Sequence, residues 1–254
     1  WDITDRIQAE RQNMEALAIE KTMVEISQLV IQRRPLDDIL QAVCNGALSM
    51  GYRMAWAGLA EPDGAIRIAA VAGIAREELE GIRLRWDETP EGAGITGSVI
   101  RSGEVFVCPD IATHPGKLPW RQKALDLGCR STAGIPFKAE QYVNGVLRIY
   151  SSKLDDFDAQ RLGALERFAE LISLALLHHK AHMELEHTRN MLQAIFDHSA
   201  EGIFLLEVLP DGEFRFAMAN DACREITGTD LAGKTLREIF PSETGRELGR
   251  KLQR

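Results

Sequence analysis

Residues 109–137 read PDIATHPGKLPWRQKALDLGCRSTAGIPF, and three textures succeed one another within them. Pro109, Pro115, Gly116 and Pro119 punctuate an irregular loop, because each of these residues breaks regular backbone in its own way. Trp120–Leu127 contains neither Gly nor Pro and reads as a short helix. Ser131–Phe137 then reads as a strand that turns through KAEQ into a second strand, Val143–Tyr150. A loop, a helix and a hairpin in that order place an antiparallel sheet at the centre of the chain.

On either side of this stretch the same sheet gains more strands. GYRMAWAGL at 51–59 and Ile66–Val71 flank EPDG, whose Pro, Asp and Gly have turn geometry built in. Val105–Cys108 is a short strand, and EGAGITGSVIRSG at 91–103 ends in a short helix. Upstream, Asp5 to about Arg33 contains no Gly or Pro and predicts a long helix, which Pro35 ends. Leu36–Met50 predicts a second helix, with Leu36, Ile39, Leu40, Val43 and Leu48 on one side and Gly51 closing it. The fold class is therefore α+β.

Downstream, DDFDAQR opens a helix with acids in its first turn, where they complement the helix dipole. No stop signal follows before His198. One seam repeats with alternating steps of three and four along it: Leu171, Leu174, His178, Ala181, Leu185, Thr188, Leu192 and Ile195. Such a stripe on a polar helix needs a partner, most simply its own copy, so a parallel homodimer is expected. A weaker seam marks the first helix at Ile3, Ile7, Glu10, Met14, Leu17, Lys21 and Val24. After 198 come a strand, a Pro-Asp-Gly turn, a second strand and two short helices.

Composition bounds the function. The chain has 254 residues, 45% hydrophobic and 27% charged, with a net charge of −8. That balance and the lack of a Lys/Arg cluster disfavour nucleic acid and direct membrane contact. Neither a membrane span nor a secretion signal is evident. Cys44, Cys108, Cys129 and Cys223 form no CxxC pair, which argues against a zinc site and fits a reducing, cytoplasmic setting.

Residues 20–178 resemble a GAF domain. The resemblance rests on GYRMAWAGL, on residues 109–137 and on GVLRIYSSKLDDFDAQRLGALERFAELISLAL at 145–176. It implies a six-stranded antiparallel sheet with helices on one face and a small-molecule pocket on the other. Residues 189–254 resemble the first part of a PAS domain in MLQAIFDHSAEGIFLLE, AMANDACREITG and LAGKTLREIF. DITDRIQAER at 2–11 resembles the Asp-Ile-Thr exit from a PAS domain, so residues 1–33 are expected to be a signalling helix. Residues 156–198 would join the two domains. The whole is expected to be a piece of a longer bacterial sensory protein, of the kind that ends in a histidine kinase or a cyclic-di-GMP enzyme.

By match to the family, the pocket walls would include Trp56, Trp86, Ile95, Val99, Cys108, Ile111, Trp120, Ser131 and Ile135. Arg130 and Asp110 would either hold a polar ligand or pair to pin the loop, with Trp120-Arg121 anchoring it. The ligand is unknown. Haem on His114 is disfavoured, bilin lacks its Cys-His dipeptide, and only Lys153, Phe157 and Asp158 echo the cyclic-nucleotide signature. His178 and His182 stand at metal spacing, but their expected role is polar interruption of the seam. The expected module is non-catalytic. The alternatives are a methionine sulfoxide reductase-like enzyme using Cys108 and Cys129, and a ligand-free dimerisation spacer.

Overall fold

In a computed structural model the described residues are 3–79, 81–116, 118, 120–140 and 142–241, and within the first helix the side chains at 3–9, 11, 12, 15 and 18 lie outside the description. The chain divides into two units, residues 1–181 and 182–254.

In the first unit, α1 (Ile3–Ile31) and α2 (Leu36–Ser49) precede β1 (Met54–Ala60) and β2 (Ile66–Ala72). There follow α3 (Ile95–Ser102), β3 (Phe106–Cys108), α4 (Arg121–Asp126), β4 (Ser131–Ala139), β5 (Tyr142–Ser151) and the first part of α5 (Ala159–His198), whose residues from 182 onward belong to the second unit. The strands are ordered β2-β1-β5-β4-β3, and every neighbouring pair is antiparallel. The sheet has five strands among the described residues, one fewer than the resemblance implies. At the β2 edge Arg85 makes a single bridge to Ala65, with hydrogen bonds from Ile66 to Leu84 and from Trp86 to Gly64.

Strand alternation divides the side chains between two cores. Ala55, Ala57, Ile135, Phe137, Leu147 and Ile149 face the helices and pack with Leu40, Val43, Leu165, Phe168 and Ile172. Each large apolar side chain buried there contributes about 1.5–3 kcal/mol. The two N-terminal helices touch closely, since a Cβ on Gly46 would stand 2.1 Å from Thr22 Cγ2. The start of α5 is fixed by Asp158, whose carboxylate accepts from the Arg161 backbone N–H at 2.8 Å. A nearly buried ion pair braces the same corner: Arg161 Nη1 lies 2.6 Å from Asp156 Oδ1, and Nη2 donates to Met50 O at 2.8 Å.

The helix seams stand differently from one another. Leu171 is half-buried against the helix-side core, whereas Leu174, His178, Ala181, Leu185, Leu192 and Ile195 are exposed. On α1, Met14, Leu17 and Val24 are exposed, and the side chains of Ile3 and Ile7 lie outside the described residues.

The second unit holds the hairpin β6 (Phe204–Val208) and β7 (Phe214–Ala219), then α6 (Asp221–Thr227) and α7 (Leu236–Ile239). Asn220 ties it together. Its Oδ1 accepts from Ile203 and Cys223 backbone N–H groups, and its Nδ2 donates to Phe196 and Glu201 carbonyls. Thr235 and Glu238 form a capping box on α7. Phe214, Phe216, Cys223, Leu231 and Leu236 make its small core.

Candidate functional site

The second face of the sheet, away from the long helices, carries Trp56, Val146, Arg148 and Tyr150 under α3, α4 and the loop that follows β3. On β5 the parity is strict: Leu147 and Ile149 join the helix-side core, so Val146, Arg148 and Tyr150 point the other way. Here Arg148 is 2% exposed and its guanidinium lies over the Tyr150 ring, 5.3 Å from its centre. Nη2 donates to the Thr132 hydroxyl at 3.0 Å and the Tyr150 hydroxyl at 3.3 Å. Thr132 in turn donates to Ile149 O at 2.8 Å. Nε and Nη1 have no hydrogen-bond partner among the described residues. Burial pushes the Tyr150 phenol up, against the pull of Arg148 and Trp56.

Above these groups lies a cavity of about 20 Å³, walled on its far side by Ile111, Leu118, Trp120 and Ala124. Trp120 meets the Tyr150 ring edge-on, with centroids 5.0 Å apart. Arg121 binds the loop to α4 by donating to the carbonyls of Ala112, His114 and Gly116. The His114 ring packs edge-on against Phe106, and its Nδ1 accepts from Gly116 N–H.

The residues singled out from sequence fall into three groups. Trp56, Trp86, Ile95, Val99, Cys108, Ile111 and Trp120 share one apolar cluster on the cavity face, and of these Ile111 and Trp120 reach the cavity wall. Ile135 belongs to the helix-side core and Ser131 shares its parity, with its hydroxyl donating to Lys153 O at 2.7 Å. A one-residue error of face explains both, because Thr132 is the neighbour that meets Arg148. Asp110 and Arg130 form the third group, and no ion pair joins them. The Asp110 carboxylate accepts from the Thr113 hydroxyl and the Ala112 N–H, which with nearby Arg130 hold it below its usual range.

Arg148 was not among the sequence candidates. Its signal was present in GVLRIYS, a charged residue inside an otherwise apolar strand. Among the described residues no group of His, Cys, Asp and Glu is placed to hold a metal ion. No helix of the described residues is long and apolar enough to cross a membrane. In the second unit a separate apolar cleft of about 390 Å³ is lined by Phe204, Leu206, Phe216, Cys223, Leu231 and Phe240, among others.

Residues 33–177 match the family model of the GAF domain, more than half of the chain. The chain belongs to the GAF domain family. A PAS domain model matches residues 190–252. Over 164 residues the chain is 27% identical to the Nif-specific regulatory protein of Azospirillum lipoferum, covering 63% of this chain and 25% of that protein. The chain thus spans about a quarter of the length of the curated relative. The GAF domain of a phosphoenolpyruvate-protein phosphotransferase from Coxiella burnetii superposes with a TM-score of 0.55 at 19% identity, covering 66% of this chain and 98% of that one. Free methionine-R-sulfoxide reductase from Neisseria meningitidis, in complex with its substrate, gives 0.53 at 18% identity over 64% and 91%. These likenesses establish a shared fold.

Proposed function

We propose that the chain is a non-catalytic sensory module of a signal-transduction protein, whose GAF unit takes a small molecule on the cavity face. Occupancy changes how the sheet packs against α5, and that helix carries the bias onward in a homodimer. The observation that carries this reading is the cavity under Trp120, with a buried guanidinium that has donors to spare. Small-molecule sites pair apolar walls with a few placed polar groups in this way. The regulatory name of the Azospirillum relative supports the same direction. The dimer rests on the exposed leucine seam of α5.

The reductase reading is weaker on chemical grounds. Cysteine attacks as a thiolate. All four cysteines are buried and free, and burial pushes Cys44 up to about 12, Cys129 up to about 11 and Cys108 upward. Groups so placed behave as small hydrophobes.

A thermal-shift screen of nucleotides, amino acids and organic acids tests the sensor reading. A ligand at a hundred times its Kd stabilises the fold by about 2.7 kcal/mol, which such a screen detects. Silence across the library, together with a loss of roughly 3–5 kcal/mol in Trp120→Ala, would leave Trp120 a packing residue and the module a spacer.

A further inference from the structure

The geometry points to a small carboxylate as the molecule that this GAF cavity receives, with Arg148 as its counter-charge. The inference rests on the sensor reading above and gives it a ligand class.

An isolated buried charge is strongly unfavourable, so buried arginines are ordinarily paired with an acid. Among the described residues Arg148 has no acidic partner within ion-pair distance, and its buried Nε and Nη1 meet no acceptor. Trp56 Nε1, turned toward the Tyr150 hydroxyl, is likewise a donor. Tyr150 accepts from Nη2 and keeps its proton to give. A site with spare donors and one positive charge, but no acid of its own among the described residues, favours an acceptor-only anion. Charge-assisted bonds from a guanidinium to a carboxylate are among the stronger ones available.

The charge balance sets the class. Arg121, the other cation at the cavity, is committed to the carbonyls of the loop. One available guanidinium matches one carboxylate better than a phosphate, which carries nearer two charges at neutral pH. Size agrees. A cavity of about 20 Å³ has room for a group little larger than a water molecule, which favours the smallest anionic heads and excludes a bulky anion.

The 254-residue chain would be titrated with sodium acetate and propionate at constant ionic strength, against chloride and inorganic phosphate, reading tryptophan fluorescence and Tm. The expected result is a saturable response specific to the carboxylates. It should weaken at least tenfold in Arg148→Lys and vanish in Arg148→Met. Arg148→Met should melt no lower than wild type in chloride, because the buried charge is gone. If Arg148→Met fails to fold, the tenfold loss in Arg148→Lys decides instead. A carboxylate response that survives in Arg148→Met, or a response to phosphate alone, overturns the inference. A neutral library compound that binds where carboxylates do not would overturn the carboxylate class and leave the sensor reading standing. No response to any compound would retire both.

Discussion

Gly134 on β4 and Arg148 on β5 are cross-strand partners, and a Cβ at residue 134 would lie 2.7 Å from Arg148 Nη1 and 3.1 Å from Val99 Cγ2. The bare glycine is what lets the guanidinium lie inside the sheet face. Gly134→Ala is expected to push it aside and weaken any anion response by tenfold or more. Overpacking should cost about 1–3 kcal/mol, measurable by urea denaturation. An unchanged anion affinity would mean that Arg148 has other room.

The Arg161–Asp156 pair and the Lys123–Glu78 pair should differ sharply in worth. The first is nearly buried, stacks over the Tyr52 ring at 4.8 Å and also binds Met50 O. Arg161→Met leaves Asp156 and that carbonyl without their strongest donor, and should cost roughly 3 kcal/mol. Lys123 and Glu78 are exposed, so Lys123→Ala should cost less than about 1 kcal/mol. Equal losses in denaturation would refute this ranking.

Leu185 is 66% exposed on the α5 seam, with Leu192 and Ile195 in the same state. Light scattering at micromolar concentration should report a dimer, and Leu185→Glu should shift it to monomer with the GAF fold intact. A monomeric wild type would remove the helix pairing from the account.

One loop should respond to acid. Asp87 is held down to about 2 by the Arg85 side chain first and the Thr89 hydroxyl second. Its folded value lies below its unfolded one, so its contribution is present above the ordinary carboxylate range. That contribution fades as pH falls from about 4 toward 2. Arg101 ties the same loop through the carbonyls of Trp86, Asp87 and Gly92. Hydrogen exchange over residues 85–101 should therefore quicken through that window in wild type and show no such step in Asp87→Asn.

Much of this fold was legible because its signals are local. The KAEQ hairpin, the EPDG turn and the uninterrupted run to His198 each depend on neighbouring residues, and they became β4–β5, β1–β2 and α5. Six strands were expected and five are described, because the Arg85 segment reaches the edge as one bridge and its side chains are spent on Asp87 and Asp63. The site was less legible, since a single residue of parity moves a side chain through the sheet. Ser131 and Ile135 looked like wall residues, yet Thr132 and Gly134 occupy that face. GVLRIYS marks Arg148 as a charge inside an apolar strand, but nothing in sequence distinguishes a buried arginine without an acid from one that has it.

The central claim is that the cavity under Trp120 is where this GAF domain senses a small molecule. Hydrogen exchange of the full chain with and without a saturating thermal-shift hit tests it most directly. The account predicts slower exchange in α4 at 121–126 and in the Arg148 strand at 142–151, lost on Trp120→Ala. Unchanged exchange in both segments, with protection confined to residues 203–240, would contradict it.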